Sequence, residues 1–240
     1  MKVIVGNEDK ISELIAEEFI KVVNKKENAV LGLATGTSPL KVYADLAKAN
    51  KEGRVSFKKV TTFNLDEYVG LEGTHNQSYR YFMNENLFNH IDIDKKNTNV
   101  LLGVGYYKKF MNEYDEKIAK AGGIDIQILG IGSDGHIAFN EPGTAFDSLT
   151  HETELTEQTI KDNSRLFNDI SEVPTRAVTM GLKSIMNARK IVLIATGKNK
   201  AKAVYGLIKG PVSEDMPCSI LQRHPDVTVY VDEEAYSLVK

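Results

Sequence analysis

The stretch from Ile128 to Gly143, ILGIGSDGHIAFNEPG, places Asp134, His136 and Glu141 within eight residues. Carboxylates on either side of an imidazole can fix its tautomer and raise its basicity, which suits it to carry protons near neutral pH. A structural histidine beside surface acids would show the same letters, but the density of ionisable groups straight after glycines favours chemistry. Gly130, Gly132 and Gly135 also spell G-x-G-x-x-G, the spacing of a dinucleotide-binding turn. That turn needs a helix opening at the third glycine and a strand-helix-strand crossover. Pro142-Gly143 halts any helix soon after it starts. The glycines are therefore expected to shape an active-site loop, with no nicotinamide and no other cofactor.

Three further stretches put reactive or anion-binding groups at the ends of apolar runs. In LGLATGTSPLKVY, Thr35, Gly36, Thr37 and Ser38 follow Leu31–Ala34, and Pro39 suits the first helical position with Thr37 or Ser38 as cap. A small-residue turn at a helix start aims backbone N–H groups and the positive dipole end at a ligand, so a phosphate is favoured over a plain turn. It is no Walker A loop, because G-x-x-x-x-G-K is missing. In TTFNLDEYVGL, Asp66 and Glu67 follow Val60–Leu65, where a carboxylate can act as general base, although such a pair taken alone is usually a solvated turn or helix cap. In IVLIATGKNKAKAVYGLI, Lys198 and Lys200 open a helix after Thr196-Gly197, and Lys200 can add charge to a phosphate. Arg165, in NSRLF, could close over the same anion. The five histidines, His75, His90, His136, His151 and His224, contain no H-x-x-x-H pair, so no metal site is expected.

These residues need a scaffold that brings strand ends together. The chain has 240 residues and a net charge of −3, from 30 Lys+Arg against 33 Asp+Glu, which excludes the basic field of a nucleic-acid binder. The single cysteine, Cys218, excludes an internal disulfide and a thiolate metal cluster, and MKVIVGNEDK is neither signal peptide nor anchor. A cytoplasmic protein with no membrane partner is expected. Strands are predicted at Val3–Val5, Val30–Ala34, Val60–Leu65, Ile124–Ile131, Ala177–Met180, Ile191–Ala195 and Val227–Val231. Helical stripes lie between them: Ile11, Leu14, Ile15, Phe19, Val22 and Val23; Tyr79, Phe82, Met83, Leu87 and Ile91; Tyr107, Phe110, Tyr114 and Ile118. The alternation predicts a doubly wound, mostly parallel sheet with helices on both faces, in which ligands bind beyond the carboxyl ends of the strands. No linker or repeat divides residues 1–240, so a single domain is expected. Residues 151–176 are polar and poorly periodic, which fits either a surface excursion or a lid.

With LATGTSP, FNLDEYVGL, SYRYFM, GIGSDGHIAFNEPG, NSR and ATGKNKA in hand, the chain resembles the glucosamine-6-phosphate deaminase family over nearly its whole length. The resemblance implies a Rossmann-like fold and conversion of glucosamine 6-phosphate to fructose 6-phosphate and ammonia. It assigns Asp66 as the base that moves a proton from C2 to C1, and His136, held by Asp134 and Glu141, as the group that opens the sugar ring. It assigns Thr35, Gly36, Thr37, Ser38, Arg165 and Lys200 to the 6-phosphate. Larger members carry a longer C-terminal tail and form hexamers activated by N-acetylglucosamine 6-phosphate, so a homo-oligomer and a monomer both stay open. Two alternatives share the sheet. A 6-phosphogluconolactonase would not explain the paired Asp66 and His136 stretches, and a sugar-phosphate sensor domain of a transcription regulator is expected to need a DNA-binding segment ahead of the first strand at Val3.

Overall fold

A computed structural model of the chain describes residues 1–164 and 167–240. Its elements alternate as the apolar periodicity requires. The first half runs β1 (Lys2–Val5), α1 (Glu8–Lys25), β2 (Val30–Leu33), α2 (Leu40–Lys51), β3 (Thr61–Asn64), β4 (Asp66–Tyr68), α3 (Tyr79–Asn86), β5 (Thr98–Asn99), α4 (Tyr107–Asn112) and α5 (Tyr114–Lys120). The second half runs β6 (Ile126–Leu129), β7 (His151–Glu154), α6 (Glu157–Asn163), β8 (Arg176–Thr179), α7 (Leu182–Met186), β9 (Ile191–Ala195), α8 (Ala201–Ile208) and β10 (Val227–Val231).

Seven strands form one sheet in the order β1-β10-β9-β6-β2-β3-β5, and every pairing in it is parallel. The interior strands β2, β6, β9 and β10 are buried at every residue. This is why they read as largely apolar runs, with Gln127 and Thr228 the buried polar exceptions: helices cover both faces. Edge strand β1 is part-exposed. Helix α1 starts at Asn7, whose side chain accepts the Lys10 N–H, and buries Ile11, Ile15, Phe19 and Val23 against the sheet. From β2 the chain winds outward to β3 and β5; from β6 it winds the other way, to β9 and β10. The switch point lies between β2 and β6, where the loops leaving the two strands part and open a crevice.

A second sheet, in the order β4-β8-β7, is antiparallel. It corrects the placing of two predicted features. The predicted strand Ala177–Met180 exists, but as β8 in this small sheet; the seventh parallel strand is the two-residue β5, too short to leave a periodic trace. The stripe Tyr107–Ile118 forms two helices parted at Glu113. Within residues 151–176 the chain forms β7, α6 and a short turn at Ile170–Glu172. A small cluster of Tyr68, Phe139, Leu155 and Ala177, flanked by Tyr79, Ile160 and Phe167, packs this region apart from the main core.

Candidate active site

Four strand ends converge on one cleft of about 210 Å³. After β2, Thr35, Gly36, Thr37 and Ser38 form its floor. The turn is held by Tyr43, whose buried hydroxyl accepts the Ala34 N–H at 3.1 Å and donates to the Ala34 carbonyl. Gly36 takes φ +93°, a conformation closed to most side chains. The expected capping does not occur: α2 begins at Leu40 with Pro39 ahead of it, and no side chain caps it. The hydroxyls of Thr37 and Ser38 are thus not spent on the helix and stay with the cleft. No acidic residue sits in the first turn of α2, so its positive dipole end is not neutralised there. Lys200 reaches the same cleft from the turn between β9 and α8. Among residues described, this gathers hydroxyls, a helix start and an ammonium as an anion cradle. Arg165 lies outside the described residues.

Asp66 sits where the chain crosses from one sheet to the other. Leu65 N–H donates to Leu33 O in the parallel sheet, Met180 N–H donates to Leu65 O, and Asp66 then pairs with Thr179 in the small sheet. The crossing buries Asp66 to 6% exposure while leaving it on the cleft wall. Burial, helped by the adjacent charge of Glu67, lifts its carboxyl to about 8. Glu67 points away: its carboxylate accepts the N–H groups of Tyr68 and Tyr79 at 2.9 Å and of Arg80 at 3.0 Å, capping the start of α3. Burial raises Glu67 to about 7, against the pull of those three donors.

The loop after β6 contains no helix before β7 among the described residues, which removes the dinucleotide crossover. Its glycines make room instead. A Cβ on Gly132 would lie 2.2–2.6 Å from the His136 ring, and one on Gly135, at φ +88°, would meet Met216 Sδ at 2.1 Å. Gly132 N–H donates to His136 O, and Cys218 N–H to Gly135 O. Ala138 takes φ +52°, the one non-glycine on the positive side among the described residues, and lines the cleft. Such strain persists only where surrounding contacts hold it. Here Phe139 N–H donates to Thr179 Oγ1, and the Asn140 amide donates to Ile137 O and Met180 O, stitching the loop to the end of β8.

The loop brings three of its ionisable groups together. His136 Nδ1 lies 2.7 Å from Asp134 Oδ1 and 3.5 Å from Glu141 Oε2. Burial works to raise Asp134, but the hydrogen bond and charge of His136 outweigh it and hold the carboxyl at about 2. Glu141 is buried, and its Oε1 accepts the Thr159 hydroxyl at 2.6 Å. The carboxylates thus face Nδ1, while the ring lines the cleft. The three also place one ligand atom each within 4.8 Å of one another, a cluster with metal-ligand chemistry that histidine spacing alone does not reveal.

The structure brings Thr35, Gly36, Thr37, Ser38, Asp66, His136 and Lys200 onto one cleft, with Asp134 and Glu141 behind His136. Sequence reasoning missed Tyr79, Phe139, Thr159 and Asn163 on its wall. Tyr79 and Phe139 stack with centroids 6.0 Å apart and ring planes at 10°. Tyr79 belonged to a stripe read as core, and nothing in the polar pattern of 151–176 singles out Thr159 or Asn163.

An anion cradle beside a buried carboxyl and a carboxylate-held imidazole, at the switch point of a doubly wound sheet, defines a class: an acid–base site for a small anionic substrate. The chain belongs to the glucosamine-6-phosphate isomerase/6-phosphogluconolactonase family, whose pattern matches residues 7–230. It is 53% identical over 241 residues to a glucosamine-6-phosphate deaminase of Clostridium tetani, covering all of both chains. It is 50% identical to one of Mycoplasma mycoides subsp. mycoides, over 99% of this chain and 97% of that one. A solved structure of a monomeric glucosamine-6-phosphate deaminase superposes with a TM-score of 0.97 at 42% identity, over 99% of this chain and 100% of that one. The 6-phosphogluconolactonase of Trypanosoma cruzi, 20% identical with a TM-score of 0.78 over 98% and 96% of the two chains, shares the fold.

Proposed function

We propose that the protein converts glucosamine 6-phosphate and water to fructose 6-phosphate and ammonia. The observation that carries this is the opposition, on one cleft, of a buried Asp66 and the His136–Asp134–Glu141 group, with an anion cradle completing the site. Thr35, Gly36, Thr37, Ser38 and Lys200 hold the 6-phosphate; Arg165 is assigned to it from the sequence alone. His136 opens the pyranose by moving a proton to the ring oxygen from the C1 hydroxyl, and its two carboxylates fix the ring for both proton states. Asp66, in its ionised form, takes the C2 proton of the open aldose, giving an enolamine. Returning that proton to C1 moves the double bond to C2–N, and water adds to the resulting iminium carbon. Ammonia then leaves and the ketose remains. No electron is gained or lost, so the chemistry calls for no redox cofactor.

The residues described on the cleft come from one chain, and a monomer, the state in which the solved relative is described, is the proposed assembly, with a homo-oligomer as the alternative. Helix α6 puts Thr159 and Asn163 on the cleft wall, and this supports a lid role for the 151–176 segment within a single 1–240 domain. No helix among the described residues is long and apolar enough to cross a membrane, and the lone Cys218 is buried; the cytoplasm is the proposed compartment. Ammonia release from glucosamine 6-phosphate, without nicotinamide and with chelator present, tests the reading. Activity that vanishes with chelator and returns with metal, or hydrolysis of 6-phosphogluconolactone without deamination, would overturn it.

A further inference from the structure

Helix α6 touches the acid–base machinery at two points, one turn apart on the same face. Thr159, 4% exposed, donates its hydroxyl to Glu141 Oε1 at 2.6 Å. Thr156, the cap of α6, approaches the same oxygen at 3.4 Å while accepting the Thr159 N–H at 3.2 Å. Four residues on, the Asn163 amide donates to the Tyr68 hydroxyl at 2.8 Å, and Tyr68 ends the three-residue strand that begins with Asp66. Thr159 and Asn163 both line the cleft.

We infer that α6 positions both proton-transfer stations, and that Thr159 is a positioning residue for His136, acting through Glu141. A buried carboxylate has two oxygens to orient. With Oε1 tied to the Thr159 hydroxyl, Oε2 is left 3.5 Å from His136 Nδ1, and no hydrogen-bond donor among the described residues satisfies it. A charge-assisted bond to a buried oxygen is shorter and stronger than a neutral one, so the hydroxyl decides which way the carboxylate turns. Remove it and Glu141 Oε1 keeps only the longer 3.4 Å contact to the Thr156 hydroxyl, so the carboxylate is held less firmly and the imidazole's partner on its Nδ1 side loosens. Asp134, on the same loop, also faces His136 Nδ1, and Asp66 and Lys200 share its cleft. The Asn163–Tyr68 bond ties the same helix to the base-bearing strand, so any shift of α6 reaches both stations together.

This inference rests on the deaminase reading only for its kinetic half. In Thr159→Val the shape is kept and the hydroxyl lost; in Thr159→Ser the hydroxyl is kept. Expected for Thr159→Val are a melting temperature close to wild type, kcat for glucosamine 6-phosphate down about tenfold with KM within about twofold, and moved ¹⁵N shifts of the His136 imidazole. Thr159→Ser should restore both kcat and the shifts. Asn163→Ala should lower kcat by a smaller factor. Wild-type kcat and unmoved imidazole shifts in Thr159→Val would overturn the inference, as would failure of serine to rescue or a loss confined to KM. If the wild type releases no ammonia, the deaminase reading falls, and the imidazole shifts still decide whether Thr159 acts on His136.

Discussion

The parallel sheet and the small antiparallel sheet divide the work of the cleft. The parallel sheet supplies the proposed anion cradle: backbone turns after β2 and β9, a helix start and Lys200, on strands buried along their whole length. The small sheet carries the proposed acid–base groups or what holds them. Asp66 opens β4, the His136 loop is stitched to β8, and α6, next to β7, clamps Glu141. Holding a phosphate needs fixed dipoles, which a rigid, fully paired sheet provides cheaply. Moving protons needs side chains whose burial and neighbours set their affinity for a proton, and those are tuned by a separate cluster that can be altered without disturbing the main core.

The contrast breaks first at Asp66. Asp66→Asn should lower kcat by about 10³-fold in an ammonia-release assay, since an amide cannot take a carbon-bound proton. Retention of most activity would move the base elsewhere. The same variant reports on stability. The carboxyl of Asp66 is raised from 3.8 to about 8 in the folded state, so folding favours its protonated form. Its effect on stability is therefore least costly at low pH, and stability is lost progressively as pH rises from about 4 towards 8. Asn does not ionise, so Asp66→Asn should gain melting temperature relative to wild type between pH 5 and pH 8. An equal difference at both ends would mean that Asp66 is not held protonated.

A smaller effect is expected at Gly132. The new methyl group of Gly132→Ala would press on the His136 ring while the Gly132–His136 backbone bond resists movement. Displacing the ring by about 1 Å should cost about 10²-fold in kcat with little change in KM. A crystal structure or imidazole shifts indistinguishable from wild type would show that the loop yields.

Lys200→Ala tests the other side of the division. Loss of one charged contact to a phosphate should raise KM about tenfold and change kcat much less, because the phosphate is held alike in ground and transition states. A kcat effect larger than the KM effect would join the cradle to the chemistry. The mildest test leaves the protein unaltered: kcat/KM should climb with pH as Asp66 ionises, with a midpoint near pH 8. A profile flat from pH 6 to pH 9 would remove the burial effect on the base.

Much of this arrangement is legible in the chain itself. β2, β6, β9 and β10 are largely apolar, without strict alternation, because both faces are buried, and the small-residue turns after β2, β6 and β9 mark the strand ends where a ligand is expected. The incompatibility of Pro142-Gly143 with a crossover helix is local and needs no fold to be seen. The grouping of Asp134, His136 and Glu141 is equally local. What is not legible has no local signature: β5 is two residues long, β7 reads HETE, and β4 is three residues beside a stronger strand. Their pairing is decided by partners distant in the chain.

Sequence alone determined which groups could act and at which strand ends they would stand, because strand periodicity, turn chemistry and dense ionisable spacing depend on neighbours a few residues apart. Tertiary structure decided that Asp66 is buried at a crossing between two sheets, that Glu67 beside it is turned into a helix cap, and that a threonine from a polar segment holds Glu141. The proton affinity of a carboxyl is set by water excluded and charges brought near, and both are fixed by chains that meet only on folding.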